Sequence, residues 1–160
     1  MKQRTIDYLA GVRQFAQDAM VDGKYKHQTD SMYFNTDVFF KGEHPLVTKD
    51  NQVLYKIKVE PFMFNLANIV HGGIIAYIID IYTTFSIAGQ DRNAVPTVST
   101  DLNVNYVKAI GEDQKFILCL TEVNKIGRNL CFTETWIYDE QHDLLSMGRH
   151  TKMKLPQPKL

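Results

Sequence analysis

Asp80 stands inside a run, Ile74 to Ala88, that is apolar on nearly all sides, with Tyr77, Ile78, Ile79, Ile81 and Tyr82 around it. Burying an unpaired carboxylate costs several kcal/mol, so the group must be paired, protonated or open to a cleft, unless it lies on a solvated helix edge. His71-Gly72-Gly73 stands just ahead of the run. At a helix start the first N–H groups lack intrahelical partners and carry the positive end of the dipole, and glycine lets a substrate oxygen come close. Such N–H groups can stabilise charge building on a carbonyl oxygen. The plain alternative is a tight turn into the helix, with His71 an ordinary hydrogen-bonded histidine. Asp80 lies about two turns, or roughly 10 Å, beyond the glycines, too far to serve the same carbonyl carbon within one chain. Two copies packed through their helices would bring one chain's Asp80 to the other's helix start and to Asn65.

These residues need elements to position them. A helix that is apolar all round is expected to be buried all round. Ahead of it, Val53, Tyr55, Ile57 and Val59 alternate with Lys56, Lys58 and Glu60, the period of a half-buried strand that Pro61 ends. Behind it come four runs rich in β-branched and aromatic residues, about Pro96–Tyr106, Lys115–Val123, Asn129–Tyr138 and Leu144–Lys154. Turn sequences separate them at Gly111-Glu112-Asp113, at Asn124 to Arg128 and at Asp139 to Asp143. Tyr8, Leu9, Val12, Phe15, Ala16 and Met20 predict a further helix over about 5–21, and 23–50 reads as an extended N-terminal segment. The expectation is one α+β domain over 1–160, a curved antiparallel sheet around a central helix, its last four strands a meander.

Composition narrows the function. Eighteen basic and eighteen acidic residues leave no net charge, so no global field draws the chain to nucleic acid, and an anion must be gripped locally. Cys119 and Cys131 have no metal-like spacing and read as buried free thiols. The first 18 residues lack the apolar stretch of a signal peptide, and Ile74 to Ile79 falls short of the roughly 20 residues that span a bilayer. No transmembrane segment is expected, and cytoplasm or mitochondrion is the expected compartment.

Asn65, then five residues, His71-Gly72-Gly73, then six residues, Asp80, with Val98-Ser99 opening a later strand, resembles the PaaI-like hotdog-fold thioesterases, particularly the acyl-CoA thioesterase 13 group. Asp101 to Tyr106, the Gly111-Glu112-Asp113 turn, the hairpin Lys125 to Leu130 and the closing Gly148-Arg149-His150-Thr151-Lys152 are similar to that group in order and spacing, over about Val53 to Met153. Asn68 stands where the group usually has Gly, a mild change because Asn also tolerates the left-handed conformation.

The resemblance implies a hotdog fold and hydrolysis of medium- or long-chain fatty acyl-CoA to free acid and coenzyme A. It implies that Asn65 and the Gly72 N–H polarise the thioester carbonyl and that the partner subunit's Asp80 activates water, with Ser99 holding that water and His71 supporting the loop. Gly73, Tyr106, Lys108, Lys125, Gly127, Arg128 and Asn129 then bind substrate or coenzyme A, with Arg149 and Lys152 as further phosphate candidates. No metal or organic cofactor is needed, and a homodimer or homotetramer shares the site. Two rivals stand beside this reading. A hydratase acting on acyl thioesters needs a histidine with an acidic partner at the thioester. A hotdog protein turned acyl-CoA sensor or structural subunit would bind without turnover.

Overall fold

A computed structural model describes residues 46–49, 51–91, 93 and 95–156. The helix expected at 5–21 lies outside these residues, and of the segment 23–50 only β1, Leu46–Lys49, is described. The sequence then runs through β2 (Gln52–Lys58), a 3-10 turn (Pro61–Met63), α1 (Gly72–Gln90), β3 (Thr97–Tyr106), β4 (Phe116–Ile126), β5 (Leu130–Tyr138) and β6 (Leu144–Lys154).

The six strands form one antiparallel sheet in the order β1-β2-β4-β5-β6-β3. The expected meander therefore holds for β4, β5 and β6 but not for β3, which pairs with β6 and leaves its other side open as the sheet's edge. The residues after Tyr106 cross the sheet to reach β4 instead of closing a hairpin.

Alternation in β2 and β4 works as read. Val53, Tyr55 and Ile57 of β2 and Ile117, Cys119 and Val123 of β4 turn inward. All but Val123 meet Ile74, Ile75, Ile78, Ile79 and Tyr82 of α1, with Ile137 and Leu145 closing the core, and Val123 packs with Ile87 and Cys131 in a second cluster. Tyr55 stacks at 4.3 Å on Tyr82 and shares a 2.9 Å hydrogen bond with Ser86, so its hydroxyl is satisfied inside the core. Cys119 and Cys131 are free and buried, and burial pushes the Cys119 thiol up to about 12.

α1 is not buried all round. Ala76, Tyr77, Asp80, Ile81 and Thr84 are only half-buried, a strip the sheet does not cover. The helix is also longer than the apolar run suggested, and by length and composition alone it could cross a bilayer. It is the helix on which this sheet packs, with Gly148 of β6 allowing the closest approach. A Cβ there would lie 2.8 Å from the Asn103 carbonyl oxygen and 2.9 Å from Ile79 Cδ1.

Candidate active site

The loop before α1 builds the first part of the site. Asn65 Oδ1 accepts from the backbone N–H groups of Ala67 (2.9 Å) and Ile69 (3.4 Å), and Asn68 turns the chain at φ 58°, the left-handed conformation its side chain tolerates. With Oδ1 engaged, only the Nδ2 donor of Asn65 is available to a ligand. His71 is the N-cap of α1, and its Nδ1 accepts from Gly73 N–H at 2.9 Å. The ring proton therefore sits on Nε2 when the ring is neutral. The Gly73 N–H is thus engaged by the cap, and Gly72 N–H is the group left without an acceptor among the described residues.

Tyr106, at the end of β3, donates its hydroxyl proton to the Gly72 carbonyl at 3.0 Å, and a Cβ on Gly72 would meet its ring at 3.3 Å. Asn65, Gly72, Ile75, Tyr106, Ile110 and Leu145 line a cavity of about 270 Å³. Asn65 and Gly72 thus border a mostly apolar space that Lys108 and Ser146 also line. Among the described residues no carboxylate lines it.

The second part lies farther along α1. The Asp80 side chain is 37% exposed, and its Oδ1 accepts from Lys152 Nζ at 2.9 Å and from Ser99 Oγ at 3.3 Å. Lys152 Nζ also donates to Ser99 Oγ at 3.1 Å, which leaves the serine proton for the aspartate. Lys152 is a correction: its side chain is 4% exposed and pairs with Asp80, so it is not a surface cation for phosphate.

His150, given no role by the sequence, completes this cluster. Thr83 Oγ1 lies 2.7 Å from the Ile79 carbonyl and shares a 2.6 Å hydrogen bond with His150 Nδ1. His150 Nε2 is buried without a hydrogen-bond partner and lies 3.6 Å from Asp80 Oδ1. Burial, then the Lys152 charge, push the His150 pKa down to about 4 against the pull of Asp80 and Asp101. A histidine beside an acid is what the hydratase rival requires. Here the histidine is sealed inside and the acid faces outward.

The expected coenzyme A residues divide. Lys125, Arg128 and Asn129 are exposed around the β4–β5 turn, where Gly127 N–H donates to the Leu130 carbonyl at 2.8 Å and a Cβ on Gly127 would collide with that oxygen. This turn lies at the Asp80 end of the sheet, because Lys154 N–H donates to the Asn129 carbonyl at 2.7 Å. Lys108 is at the opposite end and bridges Asp139 at 3.1 Å and Asp143 at 2.9 Å, so its charge is already matched. Its hydrogen bonds to Asp143 and Asp139 hold its pKa above the usual lysine value. Arg149 faces the outer surface of the sheet, across from Glu134, and stays apart from Asp80.

A curved antiparallel sheet around one helix, with donors at the helix start and a held carboxylate midway, defines a hotdog-fold protein. Residues 67–146 match the model of the Thioesterase superfamily, and the chain belongs to that family. Over 104 residues it is 34% identical to acyl-coenzyme A thioesterase 13 of Homo sapiens, covering 63% of this chain and 71% of that protein. It is similar to the crystal structure of zebrafish thioesterase superfamily member 2, at TM-score 0.67 and 28% identity over 82% of this chain and 93% of that one. The E. coli PaaI protein shares the fold, at TM-score 0.62 and 12% identity over 70% of this chain and 78% of that one.

Proposed function

We propose that the protein hydrolyses acyl-CoA thioesters, of medium- or long-chain fatty acids, to the free acid and coenzyme A. The observation that carries this reading is the half-exposed Asp80 carboxylate, with Oδ1 engaged by Ser99 and Lys152 and Oδ2 left for water. The name of the human relative supports the acyl-CoA substrate class. In the reaction, Asn65 Nδ2 and Gly72 N–H hold the thioester oxygen. Water attacks the carbonyl carbon and gives its proton to Asp80. The tetrahedral oxyanion then collapses, the C–S bond breaks, and the departing thiolate takes that proton. A thioester is activated enough for this route to need no metal or organic cofactor.

Asp80 lies eight residues along α1 from Gly72, about 12 Å of helix rise, so the two parts serve one carbonyl only across a dimer. The open edge of β3 supports that assembly. An antiparallel pairing of two β3 strands centred between Leu102 and Asn103 sets Ser99 near the partner's Tyr106, and hence Asp80 near the partner's Gly72. Such dimers are proposed to pair further into a homotetramer, with the exposed Lys125, Arg128 and Asn129 turn meeting the nucleotide.

Purified protein mixed with saturated acyl-CoAs of increasing chain length is expected to release free thiol, fastest with medium or long chains. Tight acyl-CoA binding with no thiol release would overturn the hydrolytic reading in favour of a sensor.

A further inference from the structure

We infer that Lys152 is a positioning residue of the hydrolytic site: it holds Asp80 by one oxygen so that the other is presented to water. The inference rests on the hydrolytic reading above and deepens it. An isolated aspartate on an exposed helix strip rotates freely about χ1 and χ2, and either oxygen could face the substrate. Here Oδ1 is engaged by Lys152 Nζ at 2.9 Å and Ser99 Oγ at 3.3 Å, and it faces His150 Nε2 at 3.6 Å. Burial keeps His150 neutral, so Lys152 is the only cation in contact with Oδ1 among the described residues.

Lys152 comes from β6, Ser99 from β3 and Asp80 from α1, so three elements fix one carboxylate. The ammonium is nine-tenths or more buried, whereas a lysine serving only surface solubility would extend to water. A buried ammonium is costly unless paired, and both of its described partners belong to the water-activating pair. The titratable groups that act with it are Asp80 on α1, which it bonds, and His150 on its own strand, whose pKa its charge lowers.

The test compares thiol release by the wild type, Lys152→Met, Lys152→Gln, Asp80→Asn and the Asp80→Asn/Lys152→Met double variant, each checked for assembly by size-exclusion chromatography. Lys152→Met keeps the stem that packs and removes the charge. Lys152→Gln keeps a hydrogen-bond donor and guards against a Met variant that does not fold. Misplacing the carboxylate is expected to lower kcat by about tenfold to a hundredfold with KM changed little. On the Asp80→Asn background, Lys152→Met should change kcat by less than about twofold, since nothing remains to position. An active wild type whose Lys152 variants lose kcat equally on both backgrounds, or keep the wild-type kcat, overturns the positioning role alone. A wild type that releases no thiol overturns the hydrolytic reading, and the role with it.

Discussion

The start of α1 and its middle are built on opposite plans. At the start, the groups that address a ligand are a backbone N–H and an amide whose oxygen is engaged in its own loop, and the helix and the turn fix both. In the middle, a carboxylate is fixed by side chains alone, Lys152 and Ser99 reaching it from two strands. The first place offers hydrogen-bond donors and no base, and the second offers a base. A donor set made of backbone tolerates little rearrangement and needs little support. A side-chain base depends on every neighbour that holds it.

If these are two halves of one site, breaking either should cost most of the activity. Asp80→Asn removes the base and is expected to lower kcat by about 10²–10⁴-fold. Asn65→Ala removes one carbonyl donor and should cost about 10²–10³-fold. Mixing separates the plans further. In a mixed dimer, the Asp80→Asn chain supplies Asn65 and the Asn65→Ala chain supplies Asp80, which restores one of two sites. Unfolding and refolding the two inactive proteins together at equal amounts should regain about a quarter of wild-type activity, half of the dimers being mixed. Mixtures as inactive as their parents would show that each chain completes its own site.

The donor end was largely legible in the sequence, and the base end was not. His71-Gly72-Gly73 before an apolar run announces a helix start through local rules alone, and Asn68 could be read for its backbone conformation without any partner. Asp80 was legible as an anomaly, but its partners were not. In β6, period-two reasoning favours turning Met147 and Met153 inward, yet these are exposed, and Gly148, His150 and Lys152 face the helix instead. The reason is that α1 presents Thr83 and Asp80 to that strand, and only polar side chains satisfy them. Charge alone suggests a surface position for Lys152, and its burial against Asp80 is set by the packing of β6 on α1. Placing β3 beside β6 required the sheet order, which no strand's periodicity carries.

The same contrast predicts where acid strikes. His150 is buried and neutral, its pKa pressed down to about 4, whereas an unfolded histidine takes its proton near 6.5. The unfolded chain therefore binds more protons between these values. The contribution from a neutral, buried His150 is full above about pH 6.5 and is lost as pH falls towards 4, by up to about 3 kcal/mol. His150→Leu removes the titration together with the Thr83 hydrogen bond. The stability gap between wild type and variant, from urea unfolding at a series of pH values, should shrink as pH falls through this window. A gap that stays constant would mean that His150 does not make the base end acid-sensitive.

The smallest effect expected is at the donor end, and it measures how far backbone alone fixes that half. Tyr106 is exposed, and its one described hydrogen bond is the 3.0 Å contact from its hydroxyl to the Gly72 carbonyl. Tyr106→Phe keeps the ring against Gly72 and deletes that bond, a loss of about 1 kcal/mol or less for a solvated group. The Gly72 N–H is still aimed by the helix and by the His71 cap at Gly73. Thiol release by Tyr106→Phe should therefore stay within about fivefold of the wild type in kcat/KM, with KM carrying most of the change. If Tyr106→Phe instead lowers kcat as much as Lys152→Met does, the donor end also depends on its side chains, and the contrast between the two halves fails.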